Sequence, residues 1–140
     1  MLEYKNSSNF NTMKRDNKIV DLRPIITTVD LELVKSKEEQ FQNEVLRPII
    51  KFQHELILLI FNTYLQNKKI DLESISSEKR YDRITSFFQN DRDLVSELKW
   101  VIVAYFTSIE YQNYNSMKSE INKRLVQIIK ERILSVVLKA

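Results

Sequence analysis

From Phe41 onward, apolar residues recur at steps of three and four: Phe41, Val45, Ile49, Phe52, Leu56 and Ile60. That spacing stacks side chains on one face of an α-helix. Ser36 precedes this run, with Glu39 three residues later, a capping-box arrangement that marks a helix start. Pro48 falls inside the pattern, where it lacks an N–H for the ladder and crowds the carbonyl of Glu44. Arg47 is a poor cap, so the pattern predicts a bend at Pro48 rather than a fresh start. Beyond Glu55 the run LILLIF is apolar on every side, which predicts a buried central helix ending near Asn67.

Four further helical patterns follow a polar connection over 68–77. Ser76 or Ser77 caps one whose apolar positions are Tyr81, Ile84, Phe87 and Phe88. Asn90 and Asp91 break it, and Asp91 caps a third helix that puts Leu94, Val95, Leu98, Val101, Ile102, Tyr105 and Phe106 on a broad core face. Thr107 and Glu110 form a second capping box, opening a short aromatic turn with Tyr111 and Tyr114. The last helix runs from Met117 to about Leu138, with Met117, Ile121, Leu125, Ile128, Ile129, Val136 and Val137 facing inward. No segment alternates like a half-buried strand. The predicted fold is all-α, a single-domain helical bundle of about four to five helices with a long, Pro-bent central helix.

Polarity sets the domain limits. Residues 1–22 are rich in Asn, Ser, Lys and Asp and hold too few apolar groups to offset ordering entropy, so they read as a disordered tail before one helical domain over 23–140. Leu22, Ile25, Ile26 and Val29, around Pro24, are the residues able to lay a short stretch against the body.

Composition then removes functions. The 140 residues include no glycine and no cysteine. Without glycine there is no phosphate-cradling loop, dinucleotide fingerprint or serine nucleophile elbow. Without cysteine there is no disulfide, thiolate nucleophile or thiolate zinc site, a composition that suits a reducing cytoplasm. The longest apolar run, Leu56 to Phe61, is too short to span a bilayer, and the first residues carry no export signal pattern, so no membrane association is expected. The formal net charge of +3 is unevenly spread, with six basic and two acidic residues over 118–140 and a net negative middle. That is ordinary for a solvated surface.

Few side chains are left to carry chemistry. His54 is the one histidine, and on a helical wheel it shares a polar stripe with Gln40, Asn43, Arg47 and Lys51, a candidate binding face for an anion. Gln42 and Gln53 point toward the apolar side and need hydrogen-bond partners there. Arg132 interrupts the apolar stripe of the last helix and needs a carboxylate or carbonyls, with Glu110 as the expected partner. No metal site or cofactor is expected, because no His or Glu pair stands at ligand spacing. The third helix is acidic and then apolar, unlike a helix that reads DNA, so DNA binding is not expected.

The blocks FQNEVLRPIIKFQHELILLIF, LVSELKWVIVAYFTSIEYQNY and NKRLVQIIKERI resemble those of a family of small uncharacterised all-helical bacterial proteins, some of which carry the label "glyoxalase". The resemblance covers roughly Ser36 to Leu134 and implies no chemistry. Glyoxalase-type sites join β-rich modules around a divalent metal, and a helical chain with one histidine has neither strands nor ligands, so the label reads as spurious. Three readings remain. The leading one is a non-catalytic cytoplasmic protein-protein interaction or assembly module, binding a protein partner or itself. The others are an RNA- or ribosome-associated protein and a small-anion enzyme using His54, Arg47 and Lys51.

Overall fold

The structure, a computed structural model, describes residues 14–26 and 35–139. Among these residues every regular element is helical. Helix α1 spans Lys14–Asp21 and α2 spans Lys37–Phe41, where the Ser36 hydroxyl accepts the Glu39 N–H at 3.1 Å, one half of the expected box. A π-helical turn, Gln42–Leu46, leads into α3 at Arg47–Phe52 and α4 at His54–Lys68. Then follow α5 (Ser77–Asn90), α6 (Arg92–Val103), α7 (Ser108–Ser116) and α8 (Lys118–Val137).

Pro48 shapes the long rod over 37–68 differently from a simple bend. Its ring crowds the carbonyl one α-turn back, and the chain widens just before it, so that the Arg47 N–H reaches the Gln42 carbonyl five residues back. A second adjustment comes at Gln53 (φ −89°, ψ 10°) between α3 and α4. The ladder still runs through it, because its N–H donates to Ile49 O and its carbonyl accepts from Ile57 N, each at 2.9 Å.

Caps set the other ends. Ser76, not Ser77, caps α5 by accepting the Lys79 N–H, and Asp91 alone separates α5 from α6 while accepting the Leu94 N–H at 3.2 Å. Thr107 and Glu110 form the full reciprocal box of α7, with Glu110 N donating to Thr107 Oγ1 at 3.2 Å and Thr107 N donating to Glu110 Oε1 at 2.8 Å. Helix α4 closes through Lys69, which takes the left-handed conformation (φ 56°, ψ 43°) that glycine usually supplies. Lys69 N donates to Gln66 O and Ile70 N to Leu65 O, which satisfies the last carbonyls.

One core joins the rod to α5, α6, α7 and α8, with Leu46, Ile50, Ile57, Phe61, Ile84, Leu98, Ile102, Tyr114, Ile121, Leu125 and Ile133 wholly covered. The rod, however, is covered on one side only. Ile57 and Phe61 are buried while Leu56 and Leu59 face solvent, which corrects the expectation that LILLIF lies fully inside. A domain this small has too few helices to surround one of them. Val136, expected inward, is exposed, and Ile133 and Leu134 take that place. Tyr81 is also exposed, with the Lys130 ammonium 5.7 Å from its ring centroid.

The expected tail over 1–22 is part helix. Residues 1–13, like Val29, lie outside the described residues, but Lys14–Asp21 is helical with Asp16 and Ile19 buried. Of the apolar residues expected to dock, Leu22 and Ile25 are exposed and Ile26 is half-buried. Polar groups join the buried Ile19 in docking the segment. Arg15 donates to the carbonyls of Phe106 (3.0 Å) and Ala104, Asp16 accepts the Ser108 N–H at 3.3 Å, and Arg23 reaches Tyr105 O at 2.8 Å. Cations thus meet the C-terminal end of α6 and a carboxylate meets the first N–H groups of α7, each complementing the helix ends. Composition argued against order here because it cannot register that polar groups will find unsatisfied helix ends.

Candidate functional site: a basic seam and an apolar row

The stripe expected on the first helix survives in altered form. Asn43 lies in the π turn, Arg47 and Lys51 on α3, and His54 opens α4; Lys51 is exposed and the other three are half-buried. The extra backbone width at 42–46 and the break at Gln53 both rotate one part of the stripe against the next. Arg132 of α8 completes the group, with Nη1 3.2 Å from His54 Nδ1. A guanidinium has no acceptor, so this contact is a hydrogen bond only with Nδ1 accepting.

Glu110 does not meet Arg132. Both its oxygens are taken by Arg23, at 2.7 Å from Nη1 and 2.6 Å from Nη2. The capping box of α7 turns the Glu110 carboxylate toward Arg23, in the segment after α1. Burial opposes ionisation of Glu110, and the Arg23 and Thr107 hydrogen bonds outweigh it, holding the carboxyl below its usual range. Burial, and then the neighbouring Arg47 charge, pull Arg132 below the usual guanidinium value, yet it stays a cation. Its Nε is buried with no hydrogen-bond partner.

Both glutamines expected to need partners have them. Gln42 Oε1 accepts from Arg124 Nη1 at 3.0 Å, tying the π turn to α8. Gln53 is only 8% exposed and its Nε2 donates to Val101 O at 3.0 Å. That contact completes the C-terminal end of α6. The Ile102 and Val103 carbonyls accept from Tyr105 N and Phe106 N, and those of Ala104, Tyr105 and Phe106 accept from Arg15 and Arg23, which leaves Val101 to Gln53.

Elsewhere polar groups serve the fold. Arg80 donates to the carbonyls of Leu72, Glu73, Ile75 and Val137, so the arginine beside the roughly 440 Å³ cleft lined by Leu65, Ile70 and Leu72 holds the 70–76 loop in place. Burial, and then hydrogen bonding to Asp91, push the Tyr64 phenol up to about 12. A second open groove, about 450 Å³, runs between Phe41, Glu44, Val45 and Met117. Among the described residues no three His, Asp or Glu side chains gather as a metal-holding group, and no helix is long and apolar enough to cross a membrane.

The feature sequence reasoning missed is an exposed apolar row. Phe52 (39% exposed), Leu56 (38%) and Leu59 (61%) follow at helical spacing along one side of the rod. The Phe52 ring meets Tyr105 edge-on at 5.5 Å, joining the row to the end of α6, where Trp100 is also exposed. The signal was present in the run LILLIF, read there as burial. No family model, curated protein or solved structure matches this chain.

Proposed function

We propose that the chain is a non-catalytic helical module that works in the cytoplasm by contact with another protein surface, a partner or a second copy. The observation that carries this reading is the row Phe52, Leu56 and Leu59. Single exposed apolar side chains are ordinary, whereas a contiguous line of them favours a covering surface. Fully burying a leucine is worth roughly 1.5–3 kcal/mol, so covering the exposed part of Leu59 alone contributes on the order of 1 kcal/mol to association. The half-buried Tyr105 at the flank adds an aromatic with a polar edge, a residue type enriched at such contacts.

Leu59→Glu puts a charge at the most exposed residue of the row, a position the fold does not need. Sedimentation velocity over a concentration series, with crosslinking in native lysate, compares it with the wild type at matched helicity. A larger species that is present in the wild type and lost in the variant supports the reading. Monomers throughout, with identical crosslinked species for both proteins, overturn it.

A further inference from the structure

The segment over 14–26 is fastened to the body mainly by charged side chains. Ile19, its one buried apolar residue, and the half-buried Ile26 stand apart from the cluster of buried side chains that joins the rod to α5, α6, α7 and α8, while Val20, Leu22 and Ile25 are exposed. Among the described residues every hydrogen bond from this segment to the body lands on residues 104–110. Arg15 donates to the Ala104 and Phe106 carbonyls, and Asp16 accepts the Ser108 N–H at 3.3 Å from each carboxylate oxygen. Arg23 holds the Tyr105 carbonyl and both Glu110 oxygens. Each of these bonds has an ion on at least one side, the stronger kind of hydrogen bond.

We propose that α1 together with Arg23 is a strap that opens from the α6–α7 corner as one unit while the helical body stays folded. Releasing it frees one isoleucine and three charged anchors and leaves the buried cluster whole, whereas pulling out α6 or α8 takes Leu98 and Ile102, or Ile121 and Leu125, from that cluster. Regions with few buried apolar contacts open at less than the free energy of global unfolding. An eight-residue helix does not hold in water alone, so α1 melts once it leaves, and release and melting are a single event. Opening uncovers the Ala104, Tyr105 and Phe106 carbonyls, the Ser108 N–H and the Glu110 carboxylate. The strap thereby switches this corner between a closed surface and an open cluster made mostly of acceptors. Charge controls the switch, because Glu110 faces Arg23 and Thr107 while Asp16 faces Arg15 and Ser108. The inference is independent of the apolar row.

The test is amide hydrogen exchange of the full chain, read residue by residue by NMR in low, non-denaturing urea. The reporters are the amides over 18–23, inside α1 and its last turn, and the Ser108 N–H, whose acceptor Asp16 leaves with the strap. Leu98 and Ile102 report the body. The expected result is one shared opening constant for the strap amides and Ser108, at least about a hundredfold larger than that of Leu98 and Ile102 and with a shallower urea slope. Glu110→Gln keeps a residue able to complete the capping box of α7 and weakens the hold on Arg23, so it speeds exchange of the strap amides and Ser108 together by about tenfold or more, the worth of one charge-assisted hydrogen bond. Three results overturn the proposal. Strap amides with the protection and urea slope of Leu98 and Ile102 mean that the segment leaves only when the whole protein unfolds. Fast exchange in α1 with Ser108 still protected means fraying of one helix, not release of a unit. Exchange unaltered by Glu110→Gln means that the ion pair does not hold the strap.

Discussion

Replacing Lys69 by glycine tests how a chain without glycine closes its longest rod. Lys69 sits at φ 56°, ψ 43° and is the one non-glycine residue with positive φ among the described residues. Holding a residue with a Cβ in the left-handed region costs roughly 1–2 kcal/mol. Glycine removes that strain but adds backbone freedom to the unfolded chain, which takes back roughly 0.4–1 kcal/mol. The lysine charge near the helix C-terminus contributes a further few tenths that glycine forfeits. The net expectation for Lys69→Gly is a stabilisation of about 0.5 kcal/mol, or about 2 °C in Tm for a domain of this length. Urea unfolding followed by circular dichroism reads it as a higher midpoint at constant slope. Lys69→Ala is the control, because it removes the charge and keeps the Cβ, and it should lower the midpoint slightly. If glycine falls with alanine, strain at Lys69 is not what limits this helix end, and the reasoning is refuted.

Two other substitutions probe the contacts around the end of α6. Gln53→Ala strands the Val101 carbonyl and should cost about 1–3 kcal/mol in unfolding free energy, with helicity retained; a change within error would mean that water replaces the amide. Glu110→Gln weakens the grip on Arg23 and should cost about 2 kcal/mol at neutral pH, less than a fully buried pair because the pair keeps some solvent contact. The folded carboxyl of Glu110 lies below its ordinary value, so its contribution is complete above the unfolded pKa of about 4.3 and disappears as pH falls through the folded one. Wild-type and Glu110→Gln unfolding curves should therefore converge in acid, and a constant gap down to low pH would remove the ion pair as the cause.

Local signals were legible where one residue decides the outcome. Asp91 caps α6 and Thr107 with Glu110 caps α7 because those hydrogen bonds close within three residues. The needs of Gln42 and Gln53 were also legible, although the identity of their partners was not. Arg132 shows the limit. Its misfit on an apolar stripe was plain in the sequence, but its expected partner Glu110 went to Arg23, because packing placed α8 against the start of α4 and the segment after α1 against α7.

Periodicity, caps and the missing glycine determine from sequence alone that this chain is a set of helices sharing apolar faces, since each of those effects acts within a few residues. Which side of an all-apolar helix meets water, which arginines go without a carboxylate, and whether a polar segment docks depend on groups far apart in the chain. Only tertiary structure decided those, because burial and charge pairing are properties of neighbours in space.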